Sequence, residues 1–366
     1  MKIKAAIHYE FHKPLVMEEV ELDPPGDHDV LIKITATGIC HSDVHCKHAE
    51  HGNHPLPGIG GHEVCGYVEE TGKSVTYVKP GDKVVATIMP VGCGYCYFCT
   101  IGAPGQCENH VIDLIVPGRY TNSKGQRLTQ WQSHVAGFAE YTIVPEINVV
   151  KVPKDFRDDL AALISCGVVS GYGAVLYRAK VQPNRSVVVI GTGGVGLNAI
   201  QGARFVGAFP IIAVDILDSK LETAKTFGAT HTINSRNVKD AVAEVRKLTY
   251  GRGADYVIMA VAGLNLLRQG FDMTTSSGTT CVVGHGAGEK MEMWEPRQFC
   301  RGRVMTGSAL GAIRSRVDIP RIIELYQHGR LRLDELVSGY YTFDQINEAF
   351  ESMEKGDVIR NILTFD

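Results

Sequence analysis

Over the first 165 or so positions, apolar residues come in short β-branched runs: Val30-Leu31-Ile32-Lys33-Ile34, Val64-Cys65-Gly66-Tyr67-Val68 and Lys83-Val84-Val85-Ala86. Pro-Gly pairs at 25–26, 57–58 and 80–81 punctuate them. Short strands broken by turn residues predict an irregular antiparallel β domain. Near residue 168 the texture changes. Val187-Val188-Val189-Ile190 is apolar throughout and runs into Gly-Thr-Gly-Gly-Val-Gly at 191–196. A helical stretch to about Val206 follows, then the apolar run Ile211-Ile212-Ala213-Val214 ending in Asp215, then a helix from Lys220 that closes on Gly228. Tyr256–Met259 and Cys281–Gly284 read as further buried strands. Strands alternating with helices predict an α/β unit with a doubly wound parallel sheet. The tail, 310–366, predicts helices near Ile319–Gln327 and Phe343–Met353 and a closing strand at Ile359–Phe365.

A chain of 366 residues suits two domains, each with its own core. Its 37 basic and 40 acidic residues nearly cancel, so neither nucleic acid nor an anionic membrane is expected as a partner. Met1-Lys2-Ile3-Lys4-Ala5-Ala6 lacks a signal-peptide core, and no apolar run approaches bilayer-spanning length. A soluble, cytoplasmic protein with reduced thiols is expected.

Four of the ten cysteines change that plain picture: Cys93, Cys96, Cys99 and Cys107. Two-residue gaps let a turn of backbone aim successive sulfurs at one point, and Zn²⁺ accepts four thiolates tetrahedrally. The rival, a pair of disulfides, needs an oxidising compartment that nothing in the chain announces. Four sulfurs leave no ligand position open, so this zinc is read as structural. The turn at Gly191, Gly193, Gly194, Val195 and Gly196 has an apolar strand before it, a helix after it, and an acid, Asp215, closing the next strand. That is the context in which a glycine turn cradles a pyrophosphate and the acid takes ribose hydroxyls, which favours NAD over NADP. Lys220, just beyond, joins the coenzyme-binding candidates. A third constellation is dispersed: Cys40-His41-Ser42-Asp43-Val44-His45, Gly61-His62-Glu63 and Ser165-Cys166-Gly167. Cys40, His62 and Cys166 offer two thiolates and an imidazole, three ligands that leave a fourth position open as at a catalytic zinc.

Taken together these motifs resemble the zinc-dependent alcohol dehydrogenases of the medium-chain dehydrogenase/reductase superfamily, the type example of a two-cysteine, one-histidine catalytic zinc. The likeness runs over essentially the whole chain, through C-H-S-D-x-H, G-H-E, C-x2-C-x2-C-x7-C, S-C-G-V-x-S-G-Y-G and G-T-G-G-V-G. It implies a GroES-like irregular β catalytic domain at 1–167 and 310–366, carrying the structural zinc lobe, and a Rossmann NAD-binding domain at 168–309. It also implies two zinc ions per chain, and a homodimer or homotetramer built by pairing coenzyme domains. The activity implied is hydride transfer between NAD and a primary or secondary alcohol, or the aldehyde or ketone in reverse. Ser42 takes the proton released and His45 passes it to solvent. Asp43 holds the second nitrogen of His62, while Glu63 lowers the charge of the site or ligates transiently. His41 and Arg360 lie against the coenzyme phosphates.

Alternatives within this frame are a dehydrogenase of a hydroxymethyl-thiol adduct or other specialised hydroxy metabolite, and a non-catalytic NAD- and zinc-binding redox sensor. The complete ligand set speaks against the sensor. Val111 stands where enzymes of the thiol-adduct kind carry an arginine, which disfavours that substrate. Met89, Trp131 and Ala309 are expected near the reacting hydroxyl, in a pocket suited to a bulky or aromatic alcohol, with His134 and His285 close by. His48, His51 and His54 are expected on an exposed loop, the rival being an additional metal site. Cys46, Cys65, Cys281 and Cys300 are expected to be small hydrophobes or unreactive thiols. Arg297, Arg301 and Arg303 are expected on a solvated face or subunit contact.

Overall fold

The computed structural model describes all residues except 51–53, 90–91, 110–115, 132–133, 285–295, 357 and 366. The chain divides into two compact units, Met1–Cys166 with Arg314–Gly329 and Leu333–Asp366, and Gly167–Ile313 with Arg330–Arg332.

In the second unit, Val187–Ile190 is buried at every position, as a strand covered on both faces must be. It lies inside a parallel sheet ordered His231–Asn234, Ile211–Asp215, Val187–Ile190, Ala254–Met259, Thr274–Val282, Val304–Gly307, six strands among the described residues. Val189 stands opposite Ala213 on one side and Ile258 on the other. The core between sheet and helices includes Val188, Ile190, Ile212, Val214, Val257 and Met259, each worth about 1.5–3 kcal/mol when fully buried. Helix Gly194–Phe205 follows the central strand, and helix Asp218–Phe227 ends on Gly228, whose φ of 119° is left-handed. The strand expected at Cys281–Gly284 instead spans Thr274–Val282, because the amides of Val283 and Gly284 turn to the Met259 carbonyl.

Among the described residues the first unit holds two sheets. Asp29–Ile39 is the organising strand of the larger one: Glu63–Thr71 pairs with one edge, and Tyr141–Pro145 and Arg360–Thr364 share the other. Lys83–Ala86, Val149–Lys151 and Val337–Thr342 complete it. The smaller sheet joins Lys2–Ile7, Val16–Leu22, Val116–Thr121, Arg127–Gln130 and Gly58–Ile59. Pairing is antiparallel as the sequence predicts, apart from Gly58–Ile59 on Arg127–Gln130 and Val337–Thr342 on Arg360–Thr364. Sheet alternation buries Ile32, Ile34, Val64, Val68 and Val84 in one core cluster.

The chain passes between units along a helix over 158–178. Among the described residues this is the one helix long and apolar enough to cross a membrane, and 89% of its apolar stretch is buried in the protein. It is a core helix. Its regular turns give way to wider π turns at Ile164–Val168, where Cys166 sits. Such turns are rare and often mark functional sites.

Candidate active site

Sheet register builds the first cluster. Cys40 follows directly on Asp29–Ile39, and Gly38 lies opposite Glu63 on one neighbour and Ile362 on the other. Antiparallel pairing therefore delivers Cys40, His62, Glu63 and Arg360 to one end of three strands. The π turns add Cys166. Donor atoms of Cys40, His62, Glu63 and Cys166 all lie within 4.8 Å of one another, and all four residues are buried. Gly38 makes room for this: a Cβ there would meet Glu63 Oε2 at 2.2 Å.

Helix His41–Lys47 starts at Cys40 with a capping box, the Asp43 carboxylate accepting the Cys40 amide at 2.9 Å. The other Asp43 oxygen lies 3.2 Å from His62 Nδ1 and accepts the Gly61 amide. Held by that bond, the imidazole presents Nε2 to the cluster, the arrangement that orients metal-binding histidines. Ser42 Oγ is 3.3 Å from the same Nε2. Arg360, only 4% exposed, sends Nε to Glu63 Oε1 (3.2 Å) and Nη2 to Cys40 Sγ (3.4 Å).

Protons are contested here. A hydrogen bond from Cys166 holds the Cys40 thiol well below its usual range, with help from Arg360, and the same bond pushes Cys166 well above. Burial opposes charge on His62, but Asp43 and Cys40 outweigh it and shift the imidazole up. Burial raises Glu63 to about 7 against the pull of Arg360. Two sulfurs, an imidazole and a carboxylate gathered in a dry pocket fit one divalent cation with soft and borderline ligands, as zinc prefers.

The second cluster is local. Cys96 caps the short helix Tyr97–Thr100 and accepts the Cys99 amide, while the Cys96 amide reaches Cys93 Sγ at 3.3 Å and Asn109 Nδ2 reaches it at 3.2 Å. Burial disfavours the Cys93 thiolate, but these bonds prevail and bring it down to about 6. Cys93–Cys99 and Cys96–Cys107 sulfurs are each 3.9 Å apart. Sulfurs at 2.3 Å from a shared tetrahedral zinc stand about 3.8 Å apart, so these four fit it. A disulfide needs about 2.05 Å, and all ten cysteines are free.

In the second unit Gly191 takes a φ of 85°, and a Cβ on Gly196 would meet the Gly191 carbonyl at 1.8 Å. Only glycine permits this turn into the helix Gly194–Phe205, which Gly193 caps and Val195 helps to open. Asp215 accepts the Thr192 amide and hydroxyl on Oδ2 and the Ile216 and Leu217 amides on Oδ1. Lys220 is half-buried on the helix beyond.

Other expectations fare variously. His45 and His41 share the helix after Cys40, and His45 Nδ1 is bonded to Glu50, a partner nothing in the sequence announced. Trp131 does not line an open pocket: it is 1% exposed, stacks on His8 at 4.3 Å, and gives its indole N–H to the Pro55 carbonyl. Nor do His48 and His54 lie free on an exposed loop. His54 is buried with Nε2 3.0 Å from Cys46 Sγ, and the half-buried His48, in the turn after helix His41–Lys47, bridges His12 and Glu354. His51, Val111 and His285 lie outside the described residues. Cys65 and Cys281 are buried, which raises both thiols, and Cys300 is exposed. Arg297 and Arg301 are exposed, while Arg303 lies over the Phe271 ring. Sequence reasoning missed Gly38 and the Glu63–Arg360 pair. A glycine inside an apolar strand run was the one available signal.

A parallel-sheet unit with a glycine turn and a β unit with two cysteine-rich metal clusters define a zinc-dependent, nucleotide-linked dehydrogenase. Residues 26–154 match the alcohol dehydrogenase GroES-like domain, and residues 194–328 match the zinc-binding dehydrogenase family. An alcohol dehydrogenase zinc-binding domain protein from Burkholderia ambifaria is 31% identical, with 100% of this chain and 99% of that one covered and a TM-score of 0.91. The benzyl alcohol dehydrogenase from Acinetobacter calcoaceticus is 32% identical, with both chains covered in full and a TM-score of 0.90. The alcohol dehydrogenase TADH from Thermus sp. ATN1 is 26% identical over 99% of this chain and 100% of that one, with a TM-score of 0.81. The chain belongs to the zinc-binding alcohol dehydrogenases of the medium-chain dehydrogenase/reductase superfamily. Cys40, His62, Glu63 and Cys166 form its catalytic zinc site, the four-cysteine cluster its structural one, and NAD is the coenzyme typical of the family.

Proposed function

We propose that this enzyme transfers hydride between NAD and a bulky or aromatic primary or secondary alcohol, or its aldehyde or ketone in reverse. The observation that carries the chemistry is the buried Cys40/His62/Cys166 cluster with the Ser42 hydroxyl 3.3 Å from His62 Nε2. The substrate class is supported by the full-length likeness to a benzyl alcohol dehydrogenase and by the small Ala309.

Zinc bound there supplies Lewis acidity, which brings an alcohol hydroxyl within reach of deprotonation near neutral pH. Ser42 Oγ accepts that proton as it gives up its own, acting as a relay rather than a store. His45, three residues on along the same helix face, carries it outward to Glu50. Asp43 keeps His62 Nε2 directed at the cluster. Glu63, countered by Arg360, offsets the positive charge of the site. His41 and Arg360 serve the coenzyme phosphates, the Gly191–Gly196 turn admits them, Lys220 adds to the coenzyme site, and Asp215 takes the ribose. The catalytic domain comprises 1–167 and 310–366, and the coenzyme domain 168–309. The protein is soluble and cytoplasmic, and pairs through its coenzyme sheets into a homodimer or homotetramer; the terminal strand Val304–Gly307, with Val304 exposed, suits that pairing.

A panel of alcohols with NAD⁺, followed by NADH absorbance, tests this. Benzyl alcohol should exceed ethanol in kcat/KM by on the order of 10²-fold, at about 0.8 kcal/mol per buried methylene. A preference for ethanol removes the bulky-substrate reading. Turnover of a hydroxymethyl thiol alone replaces it with the adduct dehydrogenase.

A further inference from the structure

Asp215 stands at the carboxyl end of a parallel strand, where such sheets bind their ligands. Its carboxylate already has four donors. Oδ2 accepts the Thr192 amide at 2.7 Å and the Thr192 hydroxyl at 2.9 Å; Oδ1 accepts the amides of Ile216 at 2.7 Å and Leu217 at 3.1 Å. The register that sets Ile190 beside Val214 brings Thr192 to this spot across the Gly191 turn. Three of the donors are backbone amides, which any sequence would present. The fourth is a side chain, at the one position between the first two glycines that the turn leaves open. Thr192 is fully buried, so its hydroxyl has no water to turn to.

We infer that Thr192 is a positioning residue for coenzyme choice: its hydroxyl pins the Asp215 carboxylate in the orientation that faces the coenzyme ribose. The inference rests on the reading of Asp215 as the ribose acceptor. A carboxylate held by backbone amides alone can still rock about its Cβ–Cγ bond, away from an incoming 2′-phosphate. A fourth donor, the Thr192 hydroxyl on Oδ2, resists that movement, so NADP meets a fixed negative charge. Hydrogen bonds to charged groups are among the stronger ones, and losing this one should be felt in binding.

The test is fluorescence titration of the zinc-loaded protein with NADH and NADPH. Thr192→Val keeps the shape and removes the hydroxyl. It should weaken NADH binding about tenfold, narrow the preference over NADPH, and raise KM for NAD more than it lowers kcat. Thr192→Ser should bind nearly as the wild type does. With Asp215→Ala as background, Thr192→Val should cost nothing further, since the two residues act as one unit. The inference fails if Thr192→Val leaves both affinities unchanged, or if its cost is as large without Asp215 as with it. Should Asp215→Ala itself leave NADH binding intact, the ribose assignment fails and the inference with it. A loss for Asp215→Ala and none for Thr192→Val overturns the inference alone.

Discussion

Asp43 accepts the Cys40 amide with one oxygen and faces His62 Nδ1 and the Gly61 amide with the other, so the group that starts a helix also selects the imidazole nitrogen facing the metal site. Its role was legible because it sits one residue past Ser42 in a dense motif. His8 was not legible at all. It lies in a strand-end position far from any motif, yet it is 2% exposed, stacked on Trp131, with Nδ1 lacking a hydrogen-bond partner among the described residues. Burial, with Lys47 and His54 adding to it, drives its pKa down to about 3. The unfolded chain then binds a proton near 6.5 that the folded chain refuses, so stability is complete above that pH and drains away as pH falls toward 3. Over that window the loss is about 1.4 kcal/mol per pH unit. His8→Phe keeps the ring stack and removes the proton. In urea unfolding at pH 7 and pH 5, the wild type should lose about 2 kcal/mol more than the variant. Equal losses would show that His8 does not set the acid limit.

Two helices position the zinc ligands by different means. His41–Lys47 does so at its first turn, through a capping box; the helix over 158–178 does so at its middle, where π turns present Cys166. Neither device was readable. Only Val44 and Cys46 are apolar among the seven residues of the first, too few for a helical period, and a π turn leaves no mark on an apolar run. The strands were readable, since Val187–Ile190 and Lys83–Ala86 are apolar enough to declare their burial. The two helices also differ in what they can lose. Cys166→Ala removes a ligand and should abolish nearly all turnover while NADH affinity stays, because the coenzyme turn is untouched. His45→Ala removes a half-exposed proton carrier that water replaces, and should cost roughly 10²-fold or less. Steady-state kinetics with an NADH titration separate the two. A His45→Ala enzyme as inactive as Cys166→Ala would require a further role for His45.

Across the whole molecule, the two zinc sites were legible for opposite reasons. The four cysteines lie within fifteen residues and announce themselves by spacing alone. Cys40, His62 and Cys166 became convincing only in company with the glycine turn and the second cluster. The Glu63–Arg360 pair spans 297 positions, a separation over which sequence carries no local signal. The sites should differ in lability as well. Mild chelation should take the catalytic zinc first, because two sulfurs and an imidazole, with a Glu63 carboxylate already shared with Arg360, hold it less firmly than four sulfurs do. Activity should vanish while circular dichroism holds, and metal content should fall from two per chain to one. Fully active enzyme with a single zinc would contradict the assignment. The first unit is also interrupted in sequence: it opens the chain, yields to Gly167–Ile313, and resumes at Arg314. Its strand Arg360–Thr364 lies directly against Asp29–Ile39. During synthesis, then, the six strands of the coenzyme sheet have all been made while the catalytic unit still lacks two of its own. The ribosome must reach residue 360 before Glu63 has its arginine. A transcript cut short between the codons for residues 332 and 360 would encode the whole nucleotide unit and every zinc ligand, yet leave Glu63 without its arginine.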